Sequence, residues 1–476
     1  MKKLFAVALA LVLSVGIFAG CNASGTSSSA PVSTSAPAAS SSASPSDDPT
    51  QMTAEITWWA FPTFGQENAD DPAGTYEQKI IEAFNEKYPN IKVTMNFLTI
   101  DSYNSTVTKQ YSAKVLADVI WTNSSNYYFL VSNGYALNLD HFTEQAEKAG
   151  EFDYDADFTE DFRSMGLFGG TRYAVPRSAD SVVTFYNKNI LTAAGVDLKP
   201  ETTLVKNGLS WEDFLTVCGQ VREYYDKKSD SKFYPIDANF TWEAVSWPVM
   251  KSLGGELIDK EGKFALTEGK NEEIYSFVQN MVTKRYIPAE NDGKSSFENG
   301  TGAMLFQSTT IDHYETTATL KGKFDVVSFP KIAGENSAMG IGFAGYALNS
   351  QVAEDQAKLN AASAFMAYLM SNDGQQKAAK DGGLTLPSIR SGLSAENPDA
   401  YWHSTYPAFN VAAYTYGSEY KATQDFLAYA DSSISSSLIN ALNSYVGSYC
   451  IKQTTSGKAY NLLKGAIQDA FDTIVS

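Results

Sequence analysis

The sequence predicts an α/β protein made of two lobes. Its 476 residues exceed the length that one hydrophobic core usually supports. Short runs of β-branched and aromatic residues alternate with stretches of helical apolar spacing, which favours mixed α/β structure. Near the middle of the chain, two apolar runs flank the polar segment 177–181. This pattern is typical of a chain that crosses from one lobe to another.

The first 20 residues predict a signal peptide. Lysines at positions 2 and 3 precede an apolar run, 4–18, which is short for a membrane span, and two small residues follow. Cys21 comes next, as in the lipobox of bacterial lipoproteins, although Phe18 stands where that pattern prefers leucine. We expect Cys21 to be lipidated after cleavage. An ordinary signal peptide with an incidental cysteine is the alternative.

The segment 21–52 is predicted to be a lipid-anchored tether. Beyond the cysteine it is rich in serine, alanine, proline and threonine, a composition that buries too little apolar surface to fold. As a random coil it reaches about 30 Å. We therefore expect an extracytoplasmic protein anchored to the bacterial cell membrane.

The acidic balance of the chain disfavours two classes of partner. The formal net charge is −18. Nucleic-acid binding needs a basic footprint, and an anionic membrane surface attracts basic segments. The solubility of an exported protein is the simpler explanation of the acidity. No nucleic-acid partner is expected.

The first lobe opens with a predicted strand–helix–strand unit. The run 55–61 ends in aromatic residues, 76–88 carries apolar residues on one helical face, and 91–97 alternates as a second strand. In open parallel sheets, ligands bind beyond the carboxyl ends of the strands. We therefore predict Trp59 and Phe61 at a cleft, and Trp58, inside the strand, in the core.

A third predicted strand, 117–121, is followed by the polar residues 123–126. Asn123 is predicted to hydrogen-bond a ligand at this strand end. The alternative is that these polar residues cap a helix beginning at Tyr127.

Neither a metal site nor a disulfide is favoured. Aspartates alternate at 153, 155 and 157, but Phe158 and Ser164 replace the glycine and glutamate that a calcium loop requires, so an acidic surface loop is preferred. The three histidines are isolated from further ligands. Cys218 and Cys450 fit no redox or metal spacing, so two buried thiols are favoured over a pair.

The segment 170–214 carries the most specific pattern. Its pieces are YAVP at 173–176, FYNKNIL at 185–191, AAGVD at 193–197 and SWEDF at 210–214. In this order and spacing they resemble the family 1 extracellular solute-binding proteins of ABC transporters, the family of maltose-binding protein. Residues 201–210 depart from the family pattern by separating Pro200 from Trp211, which we interpret as a surface insertion.

The resemblance covers 53–476 and implies a periplasmic-binding-protein-like (type II) fold, with two α/β lobes, a multi-strand hinge and a ligand cleft between them. Pro176 ends or crosses a strand, which leaves 177–181 as a polar connection. The glycine-rich segment 339–346 resembles the second crossing and 384–388 the third. Lobe 1 is then expected at 53–175 plus 346–388, and lobe 2 at 176–345 plus 389–476. Between the second and third crossings, residues 353–370 are predicted to form an amphipathic helix.

The resemblance also implies ligand-binding residues. Asp180 falls where a cleft carboxylate contacts substrate, with a salt bridge to Arg177 as the alternative. Trp242 lies at the ligand-contacting helix start, whereas Trp247 belongs to the packed part. Carboxylates accept hydrogen bonds from sugar diols, and indole faces stack on sugar rings. The predicted set is Trp59, Phe61, Asn123, Arg177, Asp180, Trp242, Gln307, Phe343, Trp402 and Tyr416.

The function implied by the resemblance is that of a substrate-binding lipoprotein of an ABC importer. It would capture a sugar or oligosaccharide by lobe closure and deliver it to a permease, with an ATPase subunit as further partner. A monomer without cofactor or catalytic residues is expected.

Two alternatives stay open. The same fold could bind another solute, such as a peptide or phosphorylated polyol, or act as a sensor subunit; the scarcity of basic cleft candidates argues against an anionic ligand. A remote alternative is a secreted glycoside-active enzyme, which needs two suitably spaced carboxylates. No motif singles out such a pair.

Overall fold

The computed structural model describes the chain in segments, all within one compact unit, Pro45–Ser476. The described residues are 49–61, 76–97, 102–124, 126–149, 165–168, 170–198, 209–230, 232–237, 239–288, 296–308, 311–371, 373–374, 407–414, 421–422, 425–430 and 432–475. Several predictions lie outside them: Cys21 and most of the tether, the aspartates at 153–157, the third crossing at 384–388, Trp402 and Tyr416. None of the described helices is both long and apolar enough to cross a membrane.

Twelve strands are described. They are β1 Ala54–Ala60, β2 Ile91–Phe97, β3 Val119–Asn123, β4 Leu167–Phe168, β5 Thr171–Arg172, β6 Val175–Ser181, β7 Val183–Asn187, β8 Ile236–Asp237, β9 Met304–Gln307, β10 Phe324–Ser328, β11 Met339–Leu348 and β12 Lys421–Ala422.

The α-helices within the same segments are α1 Tyr76–Lys87, α2 Tyr103–Ser112, α3 Tyr127–Ser132, α4 Asp140–Ala149, α5 Lys188–Ala193, α6 Trp211–Lys227, α7 Glu243–Ser252, α8 Glu268–Thr283, α9 Ile311–Glu315, α10 Gln356–Met370, α11 Ser435–Ser444, α12 Cys450–Lys452 and α13 Ser456–Val475. A π-helix, Tyr445–Tyr449, joins α11 to α12. Short 3-10 turns include Pro49–Gln51, directly before Met52, which is buried in the first core.

The first sheet has the order β12-β11-β3-β1-β2, and β6 also pairs with β11. The predicted strand–helix–strand opening is confirmed: β1 runs parallel to β2 and to β3, so their carboxyl ends share one edge. β11 enters this sheet antiparallel to β3. The second sheet has the order β10-β7-β9-β8.

Buried apolar residues form two large cores and a smaller one. The first core draws on 52–175 and 341–370, and the second on 182–339 and 426–470. The smaller core packs around β7 and β10 together with Val411 and Tyr414. The chain passes from the first core to the second at β6 and returns to the first at the start of β11. These two strands are therefore the described connections between the lobes.

The polar segment 177–181 is not the loop that the sequence suggested. It lies within β6, which is antiparallel to β11 from Val175 to Ser181. Pro176 fits inside the strand because the pairing shifts between Ala344 and Gly345, and a proline is tolerated where the ladder is irregular. A Cβ at Gly345 would lie 2.1 Å from the Val175 carbonyl oxygen, so glycine is required there.

The helix predicted to be amphipathic is buried on every side. In α10, each residue from Leu359 to Met370 is buried. Four alanines and one serine lie among these twelve residues, and the helix packs between β1 and α4. A helix that is apolar all round belongs to a core rather than to a surface. Elsewhere, Cys218 and Cys450 are both free thiols in the second core, as favoured above.

Candidate functional site

The crossing strand β11 contacts elements of both lobes that carry predicted residues. At Gly340 it touches helix α7 of the second core, because a Cβ there would lie 1.8 Å from the Ala244 carbonyl oxygen. At Gly342 it pairs with Asp180 of β6. At Phe343 it meets lobe 1, where the Tyr127 ring lies 5.5 Å away. Between positions 340 and 343, β11 therefore contacts both lobes and the other crossing strand.

Pro248 explains the contact between α7 and β11. It lies inside α7 and has no N–H with which to bond the carbonyl of residue 244, four positions earlier. That carbonyl instead abuts the Cα of Gly340. The helix that follows Trp242 is thus seated directly on the crossing strand.

A cluster of four aromatic rings lies at the carboxyl ends of the lobe 1 strands, and we call it the aromatic edge. Its members are Trp59, Phe61, Tyr103 and Trp121. Trp59 stacks on Tyr103 with centroids 5.6 Å apart, and Phe61 stacks on Trp121 at 4.7 Å. The Tyr103 hydroxyl donates to the Trp121 carbonyl at 3.0 Å, which joins the two pairs. Trp58 instead packs against Tyr346 and Phe365 in the core, as predicted.

Two indoles of the aromatic edge differ in hydrogen bonding. Trp59 donates its Nε1–H to the Phe97 carbonyl at 3.3 Å. The Nε1–H of Trp121 is buried and has no acceptor within the segments that the structure describes. Burying a donor without a partner costs free energy, and the Nε1–H of the core residue Trp58 is in the same state within the described segments. Trp121 was not singled out in the sequence, where it read only as the end of a strand.

The turn after β3 is held by its own polar side chains. Asn123 accepts a hydrogen bond from the Asn126 backbone N–H at 2.9 Å. The Ser124 hydroxyl accepts one from the Phe343 backbone N–H at 2.6 Å and so fastens the turn to β11. The Asn123 oxygen therefore has a local structural partner before α3 begins. Its role toward a ligand stays a prediction.

Arg177 lies beside a buried phenol rather than in open solvent. Its guanidinium donates to the Tyr346 hydroxyl at 3.5 Å. Burial raises the pKa of Tyr346, Arg177 opposes that rise, and the buried carboxylate of Glu77 adds to it. The backbone of Asp180 is paired with Gly342, but its side chain is outside the described part, so the alternative salt bridge stays untested.

The lobe 2 candidates lie at element ends. Trp242 is half-buried and directly precedes α7, whereas Trp247 is buried, as the sequence suggested. Gln307 ends β9 opposite Val183, the first residue of β7, and accepts a hydrogen bond from the Ser308 N–H at 2.9 Å. Phe343 is only 2% exposed, so its side chain packs in the first core and its backbone faces the Ser124 turn.

Helix α3 also touches the opposite lobe. Tyr128 packs against both large cores and lies 4.1 Å from the Tyr127 ring. Burial raises its pKa, and Asp425 and Tyr429 add to the rise, which marks their proximity. Ser124 belonged to the polar run 123–126 noted in the sequence, whereas Tyr103, Trp121 and the Tyr127–Tyr128 pair are the residues that the sequence reasoning missed. Only the frequency of aromatic residues near strand ends pointed to them.

Solved structures with this fold cover nearly the whole chain. An ABC substrate-binding protein of Listeria monocytogenes, solved with cycloalternan, is 19% identical with a TM-score of 0.66 over 89% of this chain and 99% of the other. UgpB of Mycobacterium tuberculosis, solved with glycerophosphocholine, is 18% identical with a TM-score of 0.68 over 89% and 99%. At such identities the likeness shows the fold, which confirms the predicted two-lobed type II periplasmic-binding-protein architecture.

Curated relatives match over shorter stretches. A Brucella abortus protein, named as a binding protein without a ligand, is 22% identical over 277 residues, 56% of this chain and 62% of the relative. An arabinooligosaccharide-binding protein of Halalkalibacterium halodurans is 23% identical over 241 residues, 49% of this chain and 47% of the relative. The chain thus spans less than two thirds of the length of these relatives.

A family model gives the broadest sequence match. The model described as bacterial extracellular solute-binding protein matches residues 79–409, which is more than half of the chain. It includes the motif segment 170–214 and both described crossing strands. The chain therefore belongs to the bacterial extracellular solute-binding proteins.

Proposed function

We propose that this protein is the substrate-binding lipoprotein of an ABC importer and that it captures a sugar or oligosaccharide between its lobes. The observation that carries the proposal is the aromatic edge, whose stacked rings include the buried, unpartnered indole N–H of Trp121. The cycloalternan complex and the arabinooligosaccharide-binding relative support the same ligand class.

The chemistry of these residues suits an uncharged ring. Aromatic faces stack on the carbon face of a pyranose, while neighbouring polar groups bond its hydroxyls. The Trp121 Nε1–H is a donor for one such oxygen, and Trp242 offers a second indole from lobe 2. Arg177 is the chief basic candidate at the crossing strands, and its guanidinium already contacts Tyr346.

Capture would proceed by lobe closure. A ligand that contacts both lobes binds the closed arrangement more tightly and therefore shifts the population toward it. A dissociation constant near 1 μM, about −8 kcal/mol, is attainable from a few stacked rings and directed hydrogen bonds. The closed form would then dock on a permease driven by an ATPase subunit. The monomer delivers its ligand without changing its bonds.

Titration calorimetry tests the ligand class. The mature chain is titrated with mono- and oligosaccharides, including α- and β-linked glucans and arabino-oligosaccharides, and with glycerophosphocholine as the charged counterpart. We expect micromolar binding of a saccharide, weakened but still measurable in Trp242→Ala and unaffected by Asn440→Ala, at an exposed position of α11. Binding of glycerophosphocholine alone would assign a phosphodiester, and no heat with any saccharide would contradict the proposal.

Chromatography of the same mixtures tests the absence of catalysis. After prolonged incubation, the oligosaccharide is expected to be recovered intact. Shortened products at a rate that scales with protein concentration would instead revive the glycoside-active alternative.

Membrane fractionation tests the anchor at Cys21. The wild-type chain, expressed with its leader, is expected in the membrane fraction and to incorporate a labelled fatty acid. Cys21→Ala is expected to do neither. A soluble wild-type chain would favour the ordinary signal peptide.

A further inference from the structure

The first turn of α7, which follows Trp242, is held by one side chain from the C-terminal part of the chain. Asn443, in the last turn of α11, accepts a hydrogen bond from the Ser246 hydroxyl at 2.8 Å. Its amide nitrogen donates to the Glu243 carboxylate at 3.3 Å. A single amide therefore connects α11 to the first and fourth residues of α7.

A π-helical turn holds the residues on the other side of Trp242. The turn Tyr445–Tyr449 brings Gly447 against the segment before α7. A Cβ at Gly447 would lie 2.7 Å from the Phe240 carbonyl oxygen and 2.5 Å from Thr241 Cγ2. π-Helical turns are uncommon and frequently occur at functional sites.

The backbone of Trp242 is thereby fixed from both directions. Its φ and ψ of −116° and 126° are extended, and its N–H donates to the Asn239 carbonyl at 3.2 Å. Its carbonyl accepts from the Val245 and Ser246 N–H groups, each at 2.9 Å. The half-buried indole packs against the second core, and a shift of this backbone would displace it from that position.

We propose that Asn443 and Gly447 are positioning residues that aim the Trp242 indole at the ligand, without touching the ligand themselves. The inference rests on the proposed function, because it assigns a role within the same binding site. Stacking of an indole on a ring requires a defined plane and distance, so displacing residues 240–246 weakens it.

A double-mutant cycle measured by calorimetry tests this inference. Asn443→Ala and Gly447→Ala are each expected to weaken saccharide binding about tenfold in the wild-type background, a change within the range of one or two lost hydrogen bonds. In the Trp242→Ala background neither is expected to weaken it further, because the group on which they act is gone. Asn440→Ala, an exposed asparagine on the same helix, is the matched control.

Equal losses of affinity with and without Trp242 would overturn the inference, since they indicate a general structural role. Ser246→Ala, a smaller change, provides the same cycle if Gly447→Ala does not fold. If the wild type binds no solute, the proposed function fails. Fluorine NMR of protein labelled with 5-fluorotryptophan then still tests whether Asn443 and Gly447 position Trp242. The Trp242 resonance, assigned with Trp242→Phe, should move in Asn443→Ala and Gly447→Ala; an unchanged resonance in both would refute the positioning role.

Discussion

The two walls of the candidate site are built by different physical means. The aromatic edge of lobe 1 consists of rings that stack on each other at the ends of β1 and β3 and belong to, or pack against, the first core. On the lobe 2 side, a half-buried Trp242 is positioned by an amide, a π-helical turn and a carbonyl seated on Gly340. In the proposed site, lobe 1 therefore joins ligand recognition to stability, whereas lobe 2 separates them.

The largest expected effect tests the lobe 1 side of this comparison. Trp121→Ala removes a buried indole and is expected to lower the free energy of unfolding by about 3–5 kcal/mol, as for other large aromatic truncations. Denaturant titration measures it. Trp242→Ala should cost much less stability and lose more affinity, and equal stability losses in the two variants would abolish the distinction.

A smaller loss is expected at the seat of α7 on the crossing strand. Gly340→Ala forces a methyl against the Ala244 carbonyl and should destabilise the fold by about 1–3 kcal/mol, the usual range for overpacking. Gly269→Ala, in the exposed first turn of α8 with nothing near its Cβ, should instead stabilise by about 0.4–1 kcal/mol. Thermal unfolding of both variants checks the opposite signs. A neutral Gly340→Ala would show that α7 is not held by β11.

The contact between the lobes at Tyr128 should affect affinity more than stability. Tyr128→Ala removes a ring that packs on both cores, so the open form gains population and saccharide affinity falls about tenfold. Small-angle scattering of the ligand-free protein should show a larger radius of gyration. Tyr128→Phe keeps the ring and should change neither quantity appreciably. An unchanged radius of gyration in Tyr128→Ala would show that Tyr128 does not affect the equilibrium between open and closed forms.

The smallest expected effect concerns a buried carboxylate in lobe 2. Asp325 is buried and accepts hydrogen bonds from the N–H groups of Val326 and Asn410 at 2.8 and 2.9 Å. Burial raises its pKa, although the two N–H groups and Lys188 oppose the rise.

Because folding raises the pKa of Asp325, the contribution of this carboxyl to wild-type stability falls as pH rises from its unfolded pKa, near 4, through its folded pKa. Asp325→Asn carries no such charge, so its stability relative to wild type should improve between pH 4 and pH 7. Urea titrations at both pH values measure the difference, with exposed Asp469→Asn as control for the loss of a charge. A relative stability that worsens with pH would contradict the sign.

The elements around the site were largely predictable, because strand periodicity and turn residues are local. β2 was predicted to the residue, and α5 ends at Ala193, two residues before Gly195, whose positive φ suits a helix stop. The family motif at 170–214 gave the two-lobed architecture. The element boundaries and the motif can both be read from short stretches of sequence.

What escaped prediction depends on neighbours distant in sequence. The segment 177–181 is polar, yet it forms a strand because β11 supplies its hydrogen bonds. Residues 356–370 show helical spacing, but the burial of 359–370 on every side follows from packing between β1 and α4. Trp121 gave no sign of an unpartnered N–H, since the partners of a buried donor are known only once the chain is folded.

Pro248 and Gly340 are linked through the Ala244 carbonyl, which constrains which residues can replace them during evolution. The proline leaves the Ala244 carbonyl without its helical partner, and Gly340, which lacks a Cβ, leaves room for that carbonyl. Replacing Gly340 alone brings a methyl into collision with the carbonyl, whereas replacing Pro248 alone restores an N–H that can bond the carbonyl within the helix. Among homologues, glycine is therefore expected in the strand wherever proline interrupts the helix.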